Sequence, residues 1–147
     1  MSEMVSVEFA ETLADAVLRD CLVAFPNIRL TVTGSCMAPQ LRPGDTVLVA
    51  ATGRQPPRLG DVVLVRHAGG LRLHRLVWNL LPGSRWRTKG DRAAVWDPGI
   101  RVGDVLGTVI ADSHGRRPTN VMRALRSLLG GFWAQVRAKF PGASRAS

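Results

Sequence analysis

The spacing of apolar residues changes twice along this chain, and each change marks a different kind of element. From Val5 to Ala24 the apolar positions Val5, Phe9, Leu13, Ala16, Val17, Cys21 and Ala24 recur mostly at steps of three and four. That period predicts an amphipathic helix within residues 1–25. Ser2 or Ser6 offers a cap, the early acids Glu3, Glu8, Glu11 and Asp15 suit the positive end of a helix, and Pro26 ends it. Cys21, on the apolar face, reads as a core residue.

Beyond Pro26 the runs become short, β-branched and punctuated by Gly and Pro. Ile28 to Val32 and Asp45 to Ala50 read as strands. Val62 to His67 is apolar enough to be buried on both faces. Gly69-Gly70 reads as a hairpin turn that returns the chain as Leu71 to Trp78. On that strand Leu71, Leu73, Arg75 and Val77 share one face, and Arg72, His74, Leu76 and Trp78 the other. Pro82-Gly83 predicts a turn before a short strand, Arg85 to Thr88; Lys89 to Pro98 reads as a loop and Val105 to Ala111 as the last strand.

After Pro118 the helical period returns through Val121, Leu125, Leu128, Leu129, Phe132, Trp133, Val136 and Phe140, interleaved with Arg123, Arg126, Arg137 and Lys139. Gly130-Gly131 weakens or kinks this helix. The patterns give a mainly β fold in a single domain, 1–147, with a β-rich core over 28–112 between an N-terminal helix and an amphipathic C-terminal helix over 119–140. The C-terminal helix either packs on the domain, docks on a membrane surface or holds a partner protein.

Composition narrows this picture. The 147 residues are 46% hydrophobic with four Trp, which argues against disorder. The net charge of +9 comes from Arg, with Lys only at Lys89 and Lys139. Such charge attracts anionic lipid, acidic peptide or nucleic acid. No helix-turn-helix, zinc-finger or aromatic-rich RNA motif accompanies it, which argues against nucleic acid. Cys21 and Cys36 are too few for a disulfide framework and show no metal spacing, so no metal or cofactor is expected and the compartment reads as reducing. No stretch of about 18 apolar residues and no signal-peptide run is visible. The expected location is the cytoplasm or the periphery of a membrane.

The chemistry concentrates in Gly34-Ser35-Cys36-Met37-Ala38-Pro39-Gln40-Leu41-Arg42-Pro43-Gly44-Asp45. Gly34 permits a positive φ or close backbone approach, and Pro39 and Pro43 forbid a long helix. Ser35 and Cys36 are thus presented on a constrained turn, where a nucleophile can meet a base. The plain alternative is a strand-turn-strand with a buried Cys.

This stretch resembles the nucleophile box of type I signal peptidases and, more loosely, of LexA-type self-cleaving repressors, Gly-x-Ser-Met-x-Pro-x-Leu-x-x-Gly-Asp. Registered on Met37, Pro39, Leu41, Gly44 and Asp45, the family's nucleophilic Ser falls on Cys36, with Ser35 one residue early as the backup. Leu73-His74-Arg75-Leu76-Val77 is similar to the His-containing segment of the endoplasmic-reticulum and archaeal branch. Thr88-Lys89-Gly90-Asp91-Arg92-Ala93-Ala94-Val95-Trp96-Asp97 is similar to its Thr-Lys-Gly-Asp box. Neither Lys89 nor Lys139 lies where the bacterial branch carries a Lys base.

The resemblance implies a small β-barrel core and a site with Cys36 as nucleophile, His74 as base and then acid, and Asp97 as orienter. Asp91 reads as a structural loop acid. It also implies that Met37, Pro39 and nearby apolar residues line the substrate pockets. The Cys36 N–H is the natural oxyanion donor. The second donor of many relatives, a Ser two residues before the nucleophile, falls on Gly34, so Ser35 or another backbone N–H must substitute. His67 and His114 belong to no box and read as surface residues. The function implied is a signal-peptidase-like endopeptidase cleaving a peptide or precursor protein, such as a leader, bound as an added strand. The alternatives are a catalytically inactive peptide-binding module on the same fold and a LexA-type self-processing switch, for whose DNA-binding domain this chain has no room.

Overall fold

The computed structural model describes residues 6–7, 14–67, 70–79, 83 and 85–139. Seven strands, β1 (Ser6–Val7), β2 (Asn27–Thr31), β3 (Thr46–Ala51), β4 (Val62–His67), β5 (Gly70–Trp78), β6 (Arg87–Lys89) and β7 (Val105–Ala111), form one sheet in the order β1-β2-β3-β7-β4-β5-β6. β2 to β6 and β7 pair antiparallel; two-residue β1 pairs parallel with β2. Helix α1 (Ala14–Ala24) precedes the sheet and α2 (Val121–Lys139) follows it.

The mainly β reading holds, but the expected closed barrel does not. Among the described residues the outer strands β1 and β6 are not paired with each other, so the sheet is open. One cause is local. β6 is three residues long and pairs with β5 only over Arg75 to Trp78. The first half of β5, Leu71 to His74, pairs with β4 and, among the described residues, carries no strand on its other edge.

The chain buries both faces of the sheet. Val62 and Leu64 point into the larger core with Ile28, Leu30, Val47, Val49 and Met37, while Val63 and Val65 pack with Leu76, Ile100 and Val105 on the other face. This is what an uninterrupted apolar strand requires. α1 covers the larger core through Leu18 and Leu22, with Cys21 and Phe25 partly buried beside them. Burying the two Leu side chains supplies about 1.5–3 kcal/mol each.

Two features of α1 differ from the sequence reading. The chain at Ser6–Val7 is a strand rather than the first helical turn, because its backbone pairs with Arg29 and Leu30 of β2; Val5, Phe9 and Leu13 lie outside the described residues. The inward face is Leu18 and Leu22, whereas Ala16, Val17 and Ala24 are exposed. The sheet rotated the helix toward its two largest aliphatic residues. The Gly130-Gly131 pair does not break α2; the hairpin residue Gly69 and the turn residue Pro82 lie outside the described set.

The start of α2 is tied to β4. Gly60 has φ +89°, and a Cβ there would stand 2.8 Å from backbone atoms of Asn120 and Val121. Glycine is thus required twice over, by conformation and by space. Beside it buried Asp61 accepts hydrogen bonds from Arg117, Thr119 and the Arg58 N–H. Among the described residues no helix is long and apolar enough to cross a membrane.

Candidate active site

The turn after β2 sets Cys36 where the sequence places it, exposed at the rim of a cavity of about 300 Å³. Thr31 to Gly34, Leu71 to His74 of β5, and the buried Met37 and Leu41 line the cavity with Cys36. Met37 is buried and accepts a hydrogen bond at its Sδ from the Asp91 N–H, 3.4 Å away. Pro39, joined to Ala38 by a cis peptide bond, is exposed and is not among the residues lining the cavity. Gly34 uses neither freedom that its residue type allows: its φ is not positive, and nothing lies within 4 Å of where its Cβ would be. Among the described residues the N–H groups of Ser35 and Met37 meet no backbone acceptor, and that of Cys36 supports its own sulfur.

His74, Asp97 and Cys36 converge. His74 lies buried on β5, and its Nδ1 meets Asp97 Oδ2 at 2.5 Å. Its other nitrogen turns toward the thiol. A Cβ on Gly90 would stand 3.4 Å from His74 Nε2 and 3.3 Å from Cys36 Cβ, so the two side chains meet over a residue that has none. The Sγ also lies 4.0 Å from the Leu73 carbonyl. Asp97 is fixed in turn by the Thr88 hydroxyl, at 2.7 Å, and by its own N–H on the Thr88 carbonyl, at 2.9 Å.

The electrostatics follow from these contacts. Burial works to lower the His74 pKa, but hydrogen bonds with Asp97 and Cys36 and their negative charge outweigh it and raise the value to about 9. The hydrogen bond from His74 is the largest cause holding the Cys36 thiol below its ordinary value, against a smaller opposing effect of burial. Burial pushes the Asp97 carboxyl up, and the hydrogen bonds from His74 and Thr88 together with the imidazolium charge bring it net below the usual range. Each contact thus favours the charged form of its partner: imidazolium at His74, carboxylate at Asp97, and a thiol at Cys36 that gives up its proton more readily than a free one.

His67 is a correction. It is not a surface residue: its side chain is 8% exposed and Nε2 lies 3.6 Å from Asp97 Oδ2. The strand period explains this, since His67 shares its face of β4 with buried Val63 and Val65. Burial lowers its pKa more than Asp97 raises it, so it stands neutral beside the charged pair. His114 is exposed, as expected.

His67, His74 and Asp97 bring three ligand-type atoms within 4.8 Å of one another. Two ligands on one tetrahedral ion at about 2 Å lie about 3.3 Å apart. The 2.5 Å His74–Asp97 contact is a hydrogen bond too short to admit an ion, and a metal there would have to dismantle it.

Asp91 holds the frame. Both of its oxygens accept from Arg75, at 2.8 Å, and Oδ2 also from Arg123, at 3.3 Å. Arg75 follows His74 on β5 and is fully buried. It also donates to the carbonyls of Gly60 and Pro118, at 2.7 and 2.9 Å, and to the side chain of Gln40. One guanidinium thus clamps the Cys36 turn, through Gln40, to the acid-bearing loop, through Asp91. Sequence reasoning did not single out Arg75, Gln40 or Thr88; the signal available was that Arg75 and Thr88 flank the predicted site residues in their boxes. The chain matches no protein-family model and no curated protein.

Proposed function

We propose that this protein is a thiol endopeptidase that cuts a peptide or precursor segment through Cys36, His74 and Asp97. The observation that supports this most is the orientation of His74, with Nδ1 on Asp97 and Nε2 toward Cys36, at the end of a cleft beside a stretch of β5 whose outer edge is unpaired among the described residues. The resemblance of four boxes to those of signal peptidases adds to it.

The cleft suits an extended peptide. Its backbone would lie between Thr31–Gly34 and the free edge of Leu71–His74, and its side chains would meet Met37, Leu41 and Leu71. The Cys36 sulfur attacks the scissile carbonyl carbon, and a C–S bond forms. The oxyanion is met by the N–H of Cys36, released from its own sulfur as the C–S bond forms, with those of Ser35 and Met37 beside it. His74 Nε2 gives its proton to the leaving amine as the C–N bond breaks. His74 then takes a proton from water, which attacks the thioester and releases the thiol and the new carboxylate. Asp97 keeps the imidazole in the required tautomer throughout.

The test is incubation with candidate precursor peptides beside Cys36→Ala and His74→Ala. Both variants should lose cleavage; unchanged cleavage in Cys36→Ala removes the assigned nucleophile. The inactive peptide-binding reading draws on the open space at Gly34, where a second oxyanion donor would stand. Rapid alkylation of Cys36 at pH 6 excludes it, and an inert thiol supports it.

A further inference from the structure

Helix α2 is turned inside out relative to an ordinary surface helix. Its inward face is made of small residues, Ala124 and Ser127, with Leu128 half-buried. Its large apolar residues point out: Met122, Leu129, Phe132 and Trp133 are each more than half exposed. They fall at i, i+7, i+10 and i+11, one continuous stripe. Trp78 and Trp96 extend this apolar surface, since with Leu128, Leu129 and Phe132 they line a groove of about 550 Å³ beside the helix.

Cations border the stripe. Arg85, Arg87 and Lys89 alternate along β6 and its approach, so they share one face. The two arginines line the apolar groove, and Lys89 lines a second cavity, of about 430 Å³, with Arg123, Arg126, Asn120 and Met122. Lys89 is 8% exposed, and burial holds its pKa below the ordinary value against the attraction of Asp91 and Asp97. Asp91 is the one acid lining either cavity among the described residues; both of its oxygens are held by Arg75 and Oδ2 also by Arg123, at 3.3 Å, so one carboxylate faces Arg75 and the three cations of the second cavity. The cavity also takes in the start of α2, whose first N–H groups add positive potential.

We propose that α2 is a docking face for an anionic lipid bilayer, and that Lys89, Arg123 and Arg126 seat a lipid phosphate. A protein partner would need its own apolar stripe edged by acids at this spacing. A bilayer supplies apolar depth beneath a plane of phosphates, the order in which this face presents Phe132 and Trp133 beside its cations. Trp at such a boundary is favoured because one end of the ring is apolar and the other can bond to water. The inference does not depend on the peptidase reading, and its readout is binding.

The test is sedimentation of the full chain with vesicles of neutral phosphatidylcholine and with vesicles carrying 30% phosphatidylglycerol. Binding to the anionic vesicles should be at least about tenfold tighter, fall with added salt and shift Trp emission to the blue. Leu129→Ser with Phe132→Ser should abolish it. Lys89→Gln and Arg126→Gln should each weaken it several-fold; Arg126 is exposed, so its variant carries the test if Lys89→Gln does not fold. Equal binding to both vesicles, or to neither, overturns the proposal. Binding of inorganic phosphate without vesicle binding overturns the lipid source. A dimer that Leu129→Ser with Phe132→Ser dissociates assigns the face to a second copy and overturns it as well.

Discussion

Asp91 and Asp97 sit six residues apart in one loop, and the chain uses them in opposite ways. Asp91 has no exposed side-chain surface and faces Arg75, equally buried; Asp97 is 12% exposed and faces His74. A guanidinium does not release its proton at any accessible pH, so Asp91 with Arg75 is a permanent clamp. An imidazole does release it, so Asp97 with His74 is a device that can move a proton. Under the proposed function, the same residue type serves as scaffold or as machinery according to the cation opposite it.

Exchanging each acid for its amide separates the two roles. Asp97→Asn keeps the shape but removes the charge that supports the imidazolium. Peptide cleavage by the variant should fall by about 10²–10⁴-fold while the fold persists. Asp91→Asn should do the reverse. It leaves the buried Arg75 charge without its partner, a loss of about 3–5 kcal/mol in urea unfolding. A stable Asp91→Asn protein with lost cleavage would exchange the two assignments.

Titration sharpens the same contrast. The His74 pKa is raised to about 9 in the folded protein from the ordinary 6.5. The stability it contributes is therefore fully present below pH 6.5 and is lost as the pH rises through 9. Cleavage should decline on a basic limb near pH 9, and in Asp97→Asn that limb should move to lower pH. Cys36 alkylation should titrate below the ordinary thiol range in the parent and return toward it in His74→Ala, because the hydrogen bond from His74 is the largest cause of the lowering.

Smaller effects come from two glycines around the thiol. Gly90→Ala inserts a methyl 3.2–3.4 Å from Cys36 and His74, tight enough to push them apart, and cleavage should fall several-fold with little change in stability. Gly34→Ser meets nothing within 4 Å; the added hydroxyl should raise cleavage a few-fold as a second oxyanion donor. Unchanged cleavage in Gly34→Ser would leave oxyanion binding to backbone N–H groups alone.

Much of the arrangement was legible in the chain. The strands from Ile28 to Ala111 fell close to their predicted positions because alternation and β-branching are local properties of the backbone. The closed barrel was not legible, since closure depends on whether β6 is long enough to meet another edge. The inward face of α1 was misread because period alone finds a stripe without saying which side of it the sheet will cover. His67 was misread as surface because it carried no motif, although its place two residues after Val65 put it on a buried face.

The sequence by itself determined the order of elements, the turn that presents Cys36, and the residue types able to do acyl-transfer chemistry. Those are matters of spacing along one chain. Only the tertiary structure decided that His74 Nδ1 faces Asp97 and Nε2 faces Cys36. Only it decided that Arg75 binds the Cys36 turn to the Asp91 loop and that α2 turns its largest apolar residues outward. The physical reason is that hydrogen bonds and burial act across space, between residues far apart in the chain, such as Arg75 and Gln40, 35 positions apart, and the free energy that selects each partner comes from the packed interior as a whole.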